Sequence, residues 1–303
     1  MEIKEKSIRR RDMEIGGVSL LSWLLLFVLA LTWGSSYLLI KKGLVSFTPQ
    51  QVACVRMSIT SLCFLPFFLL YRKKVDWSKW KYLAVVGFVG SFFPALLFAT
   101  AQTNISSSLT GVLSSFTPLA TLVLGILFFR VGFSWMKIIG VLIGLAGTVW
   151  LLLIGREGGR WAWFGFGMLV VLACLFYGIS TNVIKKHLQD IRSLTISAVS
   201  YSMVGIPALT YLAFSGFAGV FEKDEKAWTS LGYLSLLAVF GTVMGSLFYF
   251  ELIKKTNALF ASTVSYLTPM VAVLLGALDG ETITVLHLAG MLMILVGVYV
   301  ARQ

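Results

Sequence analysis

Ten long apolar runs follow one another along the chain, and short polar segments separate them. Each run has close to the roughly 20 residues that a helix needs to cross a hydrocarbon core about 30 Å thick. In lipid such runs must be helical, because a helix satisfies every backbone group within one segment. The predicted spans, numbered 1 to 10, lie at residues 20–41, 50–71, 80–101, 106–129, 135–154, 162–184, 193–214, 228–250, 258–278 and 284–301.

The chain repeats itself at roughly half of its length. Residues 33–36 (Trp-Gly-Ser-Ser) are echoed at 177–180 (Tyr-Gly-Ile-Ser), and the pair Thr117-Pro118 is echoed by Thr268-Pro269. Each copy holds five spans, and an odd number of helices forces the second copy into the membrane upside down. The pattern therefore predicts an all-α integral membrane protein with ten transmembrane helices in two inverted five-helix repeats. Many transporters use this architecture to alternate access to a site near the midplane.

We place the two repeats at residues 20–155 and 160–303, behind a basic tail at residues 1–19. The joint is the polar, glycine-rich turn 155–160, a composition typical of a boundary between units. The first run is too long for a signal peptide and no small-residue cleavage pattern follows it, so we expect it to be retained.

Composition and charge agree with this picture. The chain is 58% apolar and 13% charged, whereas soluble domains have about 45–50% and about 25%. The net charge of +12 is better explained by the excess of Lys and Arg in cytoplasmic loops than by nucleic-acid binding. With the N-terminus inside, 18 of the 25 Lys and Arg residues fall on the inner side and 6 on the outer side. This bias predicts ten spans with both termini cytoplasmic.

Several motifs at these spacings are characteristic of one family. They are residues 33–36, Arg56, Thr117-Pro118, Thr268-Pro269, Gly280-Glu281 with Thr284, and the glycines Gly140, Gly144, Gly147, Gly290 and Gly297. On these motifs the chain, from about residue 20 to its end, resembles the ten-span transporters with two EamA domains in the drug/metabolite transporter (DMT) superfamily. The resemblance implies a multi-pass carrier of the bacterial inner (plasma) membrane that exports small metabolites such as amino acids. The first repeat departs from the pattern, with Val131-Gly132 in place of a Gly-Glu pair.

The best candidate substrate site lies where the inverted repeats meet. It combines polar and aromatic side chains at corresponding positions of spans 1 and 6, namely Trp33, Ser36, Tyr37, Tyr177, Ser180, Thr181 and Asn182. Hydroxyls beside aromatic rings form a pocket that is mostly apolar but holds a few orienting polar groups. The alternative is helix packing around Gly34 and Gly178, with Ser and Thr bonded to their own backbone.

Arg56 is the charged residue that falls well inside a predicted span. A cation at that depth must face protein or water, because its insertion costs on the order of 2.5–3.5 kcal/mol. Its guanidinium could clamp a carboxylate or phosphate of the substrate. Alternatively it could cap a neighbouring helix or extend to the outer headgroups.

Further residues are candidates by position. Tyr201, Tyr249, Ser265 and Tyr266 are possible substrate contacts from spans 7, 8 and 9. Pro118 and Pro269 each remove a backbone hydrogen bond in mid-span, and we expect kinks there that either gate the site or merely serve packing. The glycines Gly140, Gly144 and Gly147 share one face of span 5. We expect that face to pack within the monomer, with a dimer contact as the alternative.

The leading hypothesis is a secondary transporter that exports amino acids or similar small metabolites by alternating access. Its partners would be a small-molecule substrate and membrane lipids, with no nucleic acid, no cofactor and no metal, and it would be a monomer or a homodimer. The alternative is a membrane enzyme acting on lipid or isoprenoid headgroups, which would need His, Asp or Glu clustered at one membrane face. A scaffold and a channel are further alternatives. The sequence shows no such cluster, no phosphate-binding loop and no ring of like charges.

Overall fold

The computed structural model describes residues 14–15, 18–130, 132, 134–154, 160–255 and 264–301. Its helices are α1 (Leu20–Gly43), α2 (Pro49–Tyr71), α3 (Trp80–Gly87), α4 (Phe93–Ala101), α5 (Ser107–Ser114), α6 (Thr117–Phe129), α7 (Trp135–Ile154), α8 (Arg160–His187), α9 (Ser193–Phe214), α10 (Phe217–Lys223), α11 (Ala227–Leu236), α12 (Gly245–Lys255), α13 (Val264–Leu278) and α14 (Val285–Val300). Two π-helical turns, Phe88–Phe92 and Leu237–Met244, join α3 to α4 and α11 to α12. The remaining elements are the 3₁₀ turns Arg72–Lys74 and Trp77–Lys79 and the paired antiparallel strands β1 (Glu14–Ile15) and β2 (Val18–Ser19).

The predicted all-α membrane fold is confirmed. In the described ranges, eight helical segments are long and apolar enough to cross a bilayer. Two shorter apolar helices, Leu267–Leu278 and Val285–Val300, occupy the last two predicted spans. The predicted start of span 9 lies outside the described residues.

The first helices of the two predicted repeats, α1 and α8, end on opposite sides of the protein. Lys41, near the end of α1, lies 2.8 Å from Glu281, whose carboxylate binds the backbone N–H of Ser107 at the start of α5. Lys186, near the end of α8, lies 5.5 Å from the ring of Phe129 at the end of α6. Because α5 and α6 run in sequence through the same span, α1 and α8 end on opposite sides of the protein.

The first helix of each repeat packs against the other repeat. A Cβ atom on Gly34 of α1 would lie 2.9 Å from the carbonyl oxygen of Thr268 in α13, and one on Gly178 of α8 would lie 3.0 Å from the backbone nitrogen of Thr121 in α6. Only glycine permits such close approach of two helices. The result is two groups of helices. The first bundle comprises α1, α11, α12 and α13, the second bundle comprises α3, α4, α6 and α8, and α5 lies between them in contact with α1, α13 and α8.

The glycine face of span 5 packs within the chain, as predicted. A Cβ on Gly297 of α14 would lie 2.5 Å from the backbone nitrogen of Gly144 and 2.6 Å from the carbonyl oxygen of Gly140, both in α7. A Cβ on Gly147 of α7 would lie 3.0 Å from the carbonyl oxygen of Gly290. The fifth helices of the two repeats therefore interlock backbone to backbone.

The two mid-span prolines have different surroundings, although the sequence predicts matching kinks. Span 4 is broken into α5 and α6, and Pro118 occupies the first turn of α6, where a proline costs nothing. Pro269 lies inside the continuous helix α13. The carbonyl oxygen of Ser114, which Pro118 frees, accepts a hydrogen bond of 2.7 Å from the hydroxyl of Thr117. In α13 the hydroxyl of Thr268 instead binds the carbonyl oxygen of Val264 at 2.9 Å.

Candidate functional site

Three aromatic rings form a line that links the two repeats. The ring centroids of Tyr37 and Phe98 lie 5.7 Å apart in an edge-on arrangement, and those of Phe98 and Tyr177 lie 6.0 Å apart. The hydroxyl of Tyr37 donates a hydrogen bond of 2.6 Å to Ser114, at the end of α5. The structure thus brings together the two tyrosines that the sequence selected. Phe98 has no distinguishing sequence signal, because it is one more apolar residue in an apolar run.

Trp33 and Ser36 face span 8 rather than span 6. The indole nitrogen of Trp33 donates to the carbonyl oxygen of Gly241 at 3.1 Å, and its ring lies 5.2 Å from that of Tyr249. Ser36 donates to the carbonyl oxygen of Thr32 at 2.8 Å, and its hydroxyl oxygen would lie 2.9 Å from a Cβ on Gly241. Ser36 therefore serves helix packing, which was the alternative interpretation.

Span 6 makes the equivalent serine–glycine contact with span 3, the third span of the first repeat. Ser180 is buried and lies against Gly90 of the π-helical turn in span 3, just as Ser36 lies against Gly241 of the π-helical turn in span 8. Thr181, the next residue, is exposed. Within the candidate group of span 6, Tyr177 is the residue that belongs to the aromatic line.

Arg56 lies on α2, is half-buried, and reaches across to the second repeat. Its Nε donates a hydrogen bond of 2.9 Å to the hydroxyl of Thr242, in the π-helical turn of span 8. Among the residues that the structure describes, Thr242 is the hydrogen-bond partner of Arg56, and no carboxylate forms an ion pair with it. Thr242 directly follows Gly241, whose carbonyl oxygen accepts from Trp33, so Arg56 is bonded beside the aromatic pair of Trp33 and Tyr249.

Tyr201 lies on α9, the counterpart of α2 in the second repeat. Its ring is stacked on that of Phe64, with a centroid distance of 5.4 Å and an angle of 3° between the planes. Its hydroxyl lies 3.4 Å from that of Ser91, in the π-helical turn of span 3. The side chain is thereby held between the two repeats.

The side chains of the remaining candidates are placed only in part. Tyr249 is half-buried beside Trp33. Ser265 and Tyr266 lie in the first turn of α13, and their side chains are outside the described part of the chain. In the described residues, no group of three or more His, Cys, Asp or Glu side chains could hold a metal ion.

An ion cluster that the sequence did not single out closes one end of the molecule. Glu281 accepts hydrogen bonds from the backbone N–H groups of Ser107 and Ser108, at 3.0 and 2.9 Å, and from both of their hydroxyls. These donors form the N-terminus of α5, where a carboxylate is favoured by the exposed N–H groups and the helix dipole. Lys41 lies 2.8 Å from both Glu281 and Asp279, and Lys42 also pairs with Asp279.

The turn after α13 places this carboxylate. Gly280 has a φ of 84°, a left-handed conformation that suits glycine. The N–H of Glu281 then binds the carbonyl oxygen of Gly276 at 2.9 Å, and the N–H of Gly280 binds that of Ala277 at 3.1 Å. This is the Schellman arrangement of a helix end. The Gly-Glu pair therefore turns the chain back so that Glu281 reaches the start of α5.

The environment of Glu281 strongly favours its charged form. Burial alone would raise the pKa of this carboxyl, but the hydrogen bonds from Lys41, from the hydroxyl and N–H of Ser108 and from Ser107 outweigh that effect. Together they lower the pKa of Glu281 to about 2. The pKa of Asp279 is also lowered, by its hydrogen bonds with Lys41 and Lys42.

Comparison with known proteins agrees with this architecture. The sequence profile of the EamA-like transporter family matches twice, over residues 20–153 and 165–303. An "Uncharacterized transporter" of Archaeoglobus fulgidus is 24% identical over 92% of this chain and 97% of its own length. The "Uncharacterized inner membrane transporter YedA" of Escherichia coli K12 is 26% identical over 86% of this chain and 83% of its own length.

Two further similarities concern function and fold separately. A "Probable amino-acid metabolite efflux pump" of Salmonella typhimurium is 25% identical over 91% of this chain and 93% of its own length. A solved crystal structure matches the fold with a TM-score of 0.62 at 16% identity, and the match covers 92% of this chain and 96% of that one. Since the family profile covers nearly the whole described fold, the chain belongs to the EamA-like transporter family of the DMT superfamily and is a membrane transporter.

Proposed function

We propose that this protein is a secondary carrier that exports amino acids or similar small metabolites across the inner membrane by alternating access. The observation that carries the proposal is the half-buried Arg56, which bonds across the repeats to Thr242, beside the Trp33 partner Gly241, and lacks a carboxylate partner among the described residues. A buried cation needs a counter-charge or a polar partner. An anionic or zwitterionic substrate would supply that charge.

Aromatic rings from both repeats suit the apolar part of such a solute. Tyr37, Phe98 and Tyr177 form a continuous aromatic surface between α1, α4 and α8. Trp33 and Tyr249 form a second aromatic pair on the first bundle. Binding pockets for small molecules typically combine mostly apolar walls with a few orienting polar groups.

The contacts between the two bundles support alternating access. The first half of span 4, α5, packs on α1 and α13 of the first bundle, whereas its second half, α6, packs on α8 of its own bundle. The bundles therefore meet at the end of the molecule where Glu281 holds the N-terminus of α5. Rocking of one bundle against the other would break this contact and open that end.

The charge distribution supports an orientation of the protein in the membrane, and sequence similarity supports a direction of transport. The Lys and Arg bias favours cytoplasmic termini, which would make the end closed by Glu281 the outer end. Export is supported by the similarity to the probable amino-acid metabolite efflux pump, and an inner-membrane location by the similarity to YedA. The carrier would act as a monomer or homodimer. The glycine face of α7 is occupied by α14, so a dimer would use another surface.

Transport by purified protein in proteoliposomes tests the proposal directly. After a thermal-shift screen of amino acids and related metabolites to select ligands, uptake of the selected compounds would be measured for wild type, Trp33→Ala, Tyr177→Ala and Arg56→Ala. We expect each variant to keep its fold and to lose at least about tenfold in transport, which corresponds to roughly 1.4 kcal/mol. Tyr299→Ala is the matched control, because Tyr299 is 62% exposed on α14 and should leave transport unchanged.

Normal transport by the doubly substituted Trp33→Ala/Tyr177→Ala protein would contradict a substrate site at the interface of the two bundles. Absence of flux for every amino acid and small metabolite, with well-folded protein, would overturn the substrate class.

A further inference from the structure

We propose that Thr242 is a positioning residue that holds Arg56 ready for a substrate carboxylate, and that Ser91 and Tyr201 form the uncharged counterpart of this arrangement. This inference rests on the proposed function, and it narrows the substrate to compounds with one carboxylate. It starts from two hydroxyls in the two π-helical turns, which the sequence analysis did not select.

Both hydroxyls occupy the same local geometry. Thr242 Oγ1 lies 3.5 Å from the carbonyl oxygen of Leu237, and Ser91 Oγ lies 3.4 Å from that of Val86. Each carbonyl belongs to the residue five positions earlier, the spacing that defines a π-helix. Such turns are often found at functional sites, because the wider backbone redirects a side chain.

The wider turn orients the hydroxyl of Thr242. A carbonyl can only accept, so the single proton of Thr242 points to Leu237 and its lone pairs face Arg56 Nε at 2.9 Å. Thr242 is 5% exposed, so water has little access to compete for this bond. The guanidinium is therefore held in one orientation before any ligand arrives.

Because Nε of Arg56 is hydrogen-bonded to Thr242, the two terminal nitrogens of the guanidinium remain for a ligand. Its two terminal nitrogens form a planar fork that matches the two oxygens of a carboxylate. Within the described ranges no protein carboxylate pairs with this fork. A substrate carboxylate would complete the site by supplying both the missing acceptors and the missing charge.

The second repeat offers the same arrangement without the charge. Tyr201 on α9 meets Ser91 in the π-helical turn of span 3, as Arg56 on α2 meets Thr242 in the π-helical turn of span 8. Each pair joins the second span of one repeat to the third span of the other. One side of the site is thus cationic and the other is a neutral aromatic hydroxyl. This asymmetry fits a molecule with a carboxylate at one end and an uncharged or aromatic remainder.

The test compares acids with their amides. L-Phenylalanine, L-leucine and 3-phenylpropionate would each be measured against the corresponding carboxamide, by thermal shift and by proteoliposome flux. Wild type should prefer the acid. Thr242→Val keeps the shape but removes the hydroxyl. It should raise the KM for the acid roughly tenfold and leave the KM for the amide unchanged, because the guanidinium loses the acceptor that orients it. Thr242→Ser should restore the preference, and Arg56→Lys should lose it.

Ser91→Ala is the control that the inverted repeat provides. It removes the corresponding hydroxyl beside Tyr201 and should leave the ratio between acid and amide unchanged. Equal handling of acids and amides by wild type, or an unchanged preference in Thr242→Val, would overturn the carboxylate subsite while leaving the carrier function intact. Failure to bind or move any acid or amide would overturn the proposed substrate class as well.

Discussion

At the scale of single residues, Glu281 shows how a carboxylate in a loop can join two halves of a membrane protein. Its side chain is 6% exposed, yet it is fully compensated by Lys41 and by the N–H and hydroxyl groups at the start of α5. A buried charge is tolerated only with such partners. Removal of the charge leaves these donors without their acceptor, which is more costly than the loss of one surface ion pair.

Glu281→Gln should therefore destabilise the protein near neutral pH. The pKa of Glu281 is lowered to about 2, so its contribution is present above about 4.5 and is lost as the pH falls toward about 2. The difference in free energy of unfolding should reach up to roughly 3 kcal/mol. Thermal melts at pH 7, 4 and 3 should show wild type and variant converging as the pH falls.

Asp190→Asn is the matched control for this prediction. Asp190 pairs with Lys79, but its side chain is 66% exposed, and solvated ion pairs of this kind contribute little. Its melting temperature should stay close to that of wild type at neutral pH. If Glu281→Gln behaved like Asp190→Asn, the carboxylate would not be a structural contact.

At the scale of elements, the packing of α7 against α14 depends on glycine at both surfaces. An added methyl group on Gly297 would collide with backbone atoms of Gly140 and Gly144. A side chain can relieve such a clash by changing its rotamer, but the backbone of a helix cannot, so the two helices would have to separate. Close approach of this kind is a main source of helix association in lipid, where the hydrophobic effect does not draw helices together.

Gly297→Ala should accordingly cost roughly 1–3 kcal/mol, the usual effect of overpacking, and lower the melting temperature in detergent. Gly165→Ala in α8 is the control, because a Cβ there has nothing within 4 Å. It should be neutral or stabilise by up to about 1 kcal/mol, since alanine is the better helix former. Equal melting temperatures for the two variants would contradict the close packing of α7 on α14.

At the scale of the whole molecule, the two bundles meet at one end through α5, α13 and the Glu281 cluster. A Cβ on Gly276 of α13 would lie 3.1 Å from Ser108 Cβ of α5, slightly closer than the roughly 3.5–4.5 Å of a disulfide. Alternating access requires this contact to break once in each cycle. A covalent bond at this position should therefore stop the cycle.

The double variant Ser108→Cys/Gly276→Cys, with Cys54, Cys63 and Cys174 replaced, should lose transport when oxidised. On reduction it should regain the level of its single cysteine variants, which is below wild type because a Cβ on Gly276 would lie 2.5 Å from Oε2 of Glu281. Each single cysteine variant controls for the substitution itself. A disulfide within the first bundle, Ser46→Cys/Ser230→Cys, should leave transport intact, because the two hydroxyls lie 3.0 Å apart on parts that move together. Full transport by the oxidised Ser108–Gly276 protein would show that this end never opens.

Much of the fold could be predicted from the sequence alone. Lipid permits only helices for long apolar runs, so the helical membrane fold followed from run length and polarity. The internal repeat and an odd number of spans predict the inversion, and α1 and α8 end on opposite sides of the protein, as an inversion requires. Trp33, Arg56 and Tyr177 could be selected because polar or amphipathic side chains are costly in a membrane and stand out against an apolar background.

Only the tertiary structure decided which side chains meet. Spans that are apolar all round carry no stripe to show which face is turned inward, so the position of Phe98 between Tyr37 and Tyr177 depends on helix rotation and partners. The contacts of Thr242 with Arg56 and of Glu281 with the start of α5 also depend on how the helices pack, because they join residues far apart in the chain. The prolines make the same point: the Thr-Pro motif lies at the start of a helix in the first repeat and inside a helix in the second, a difference that the sequence does not show.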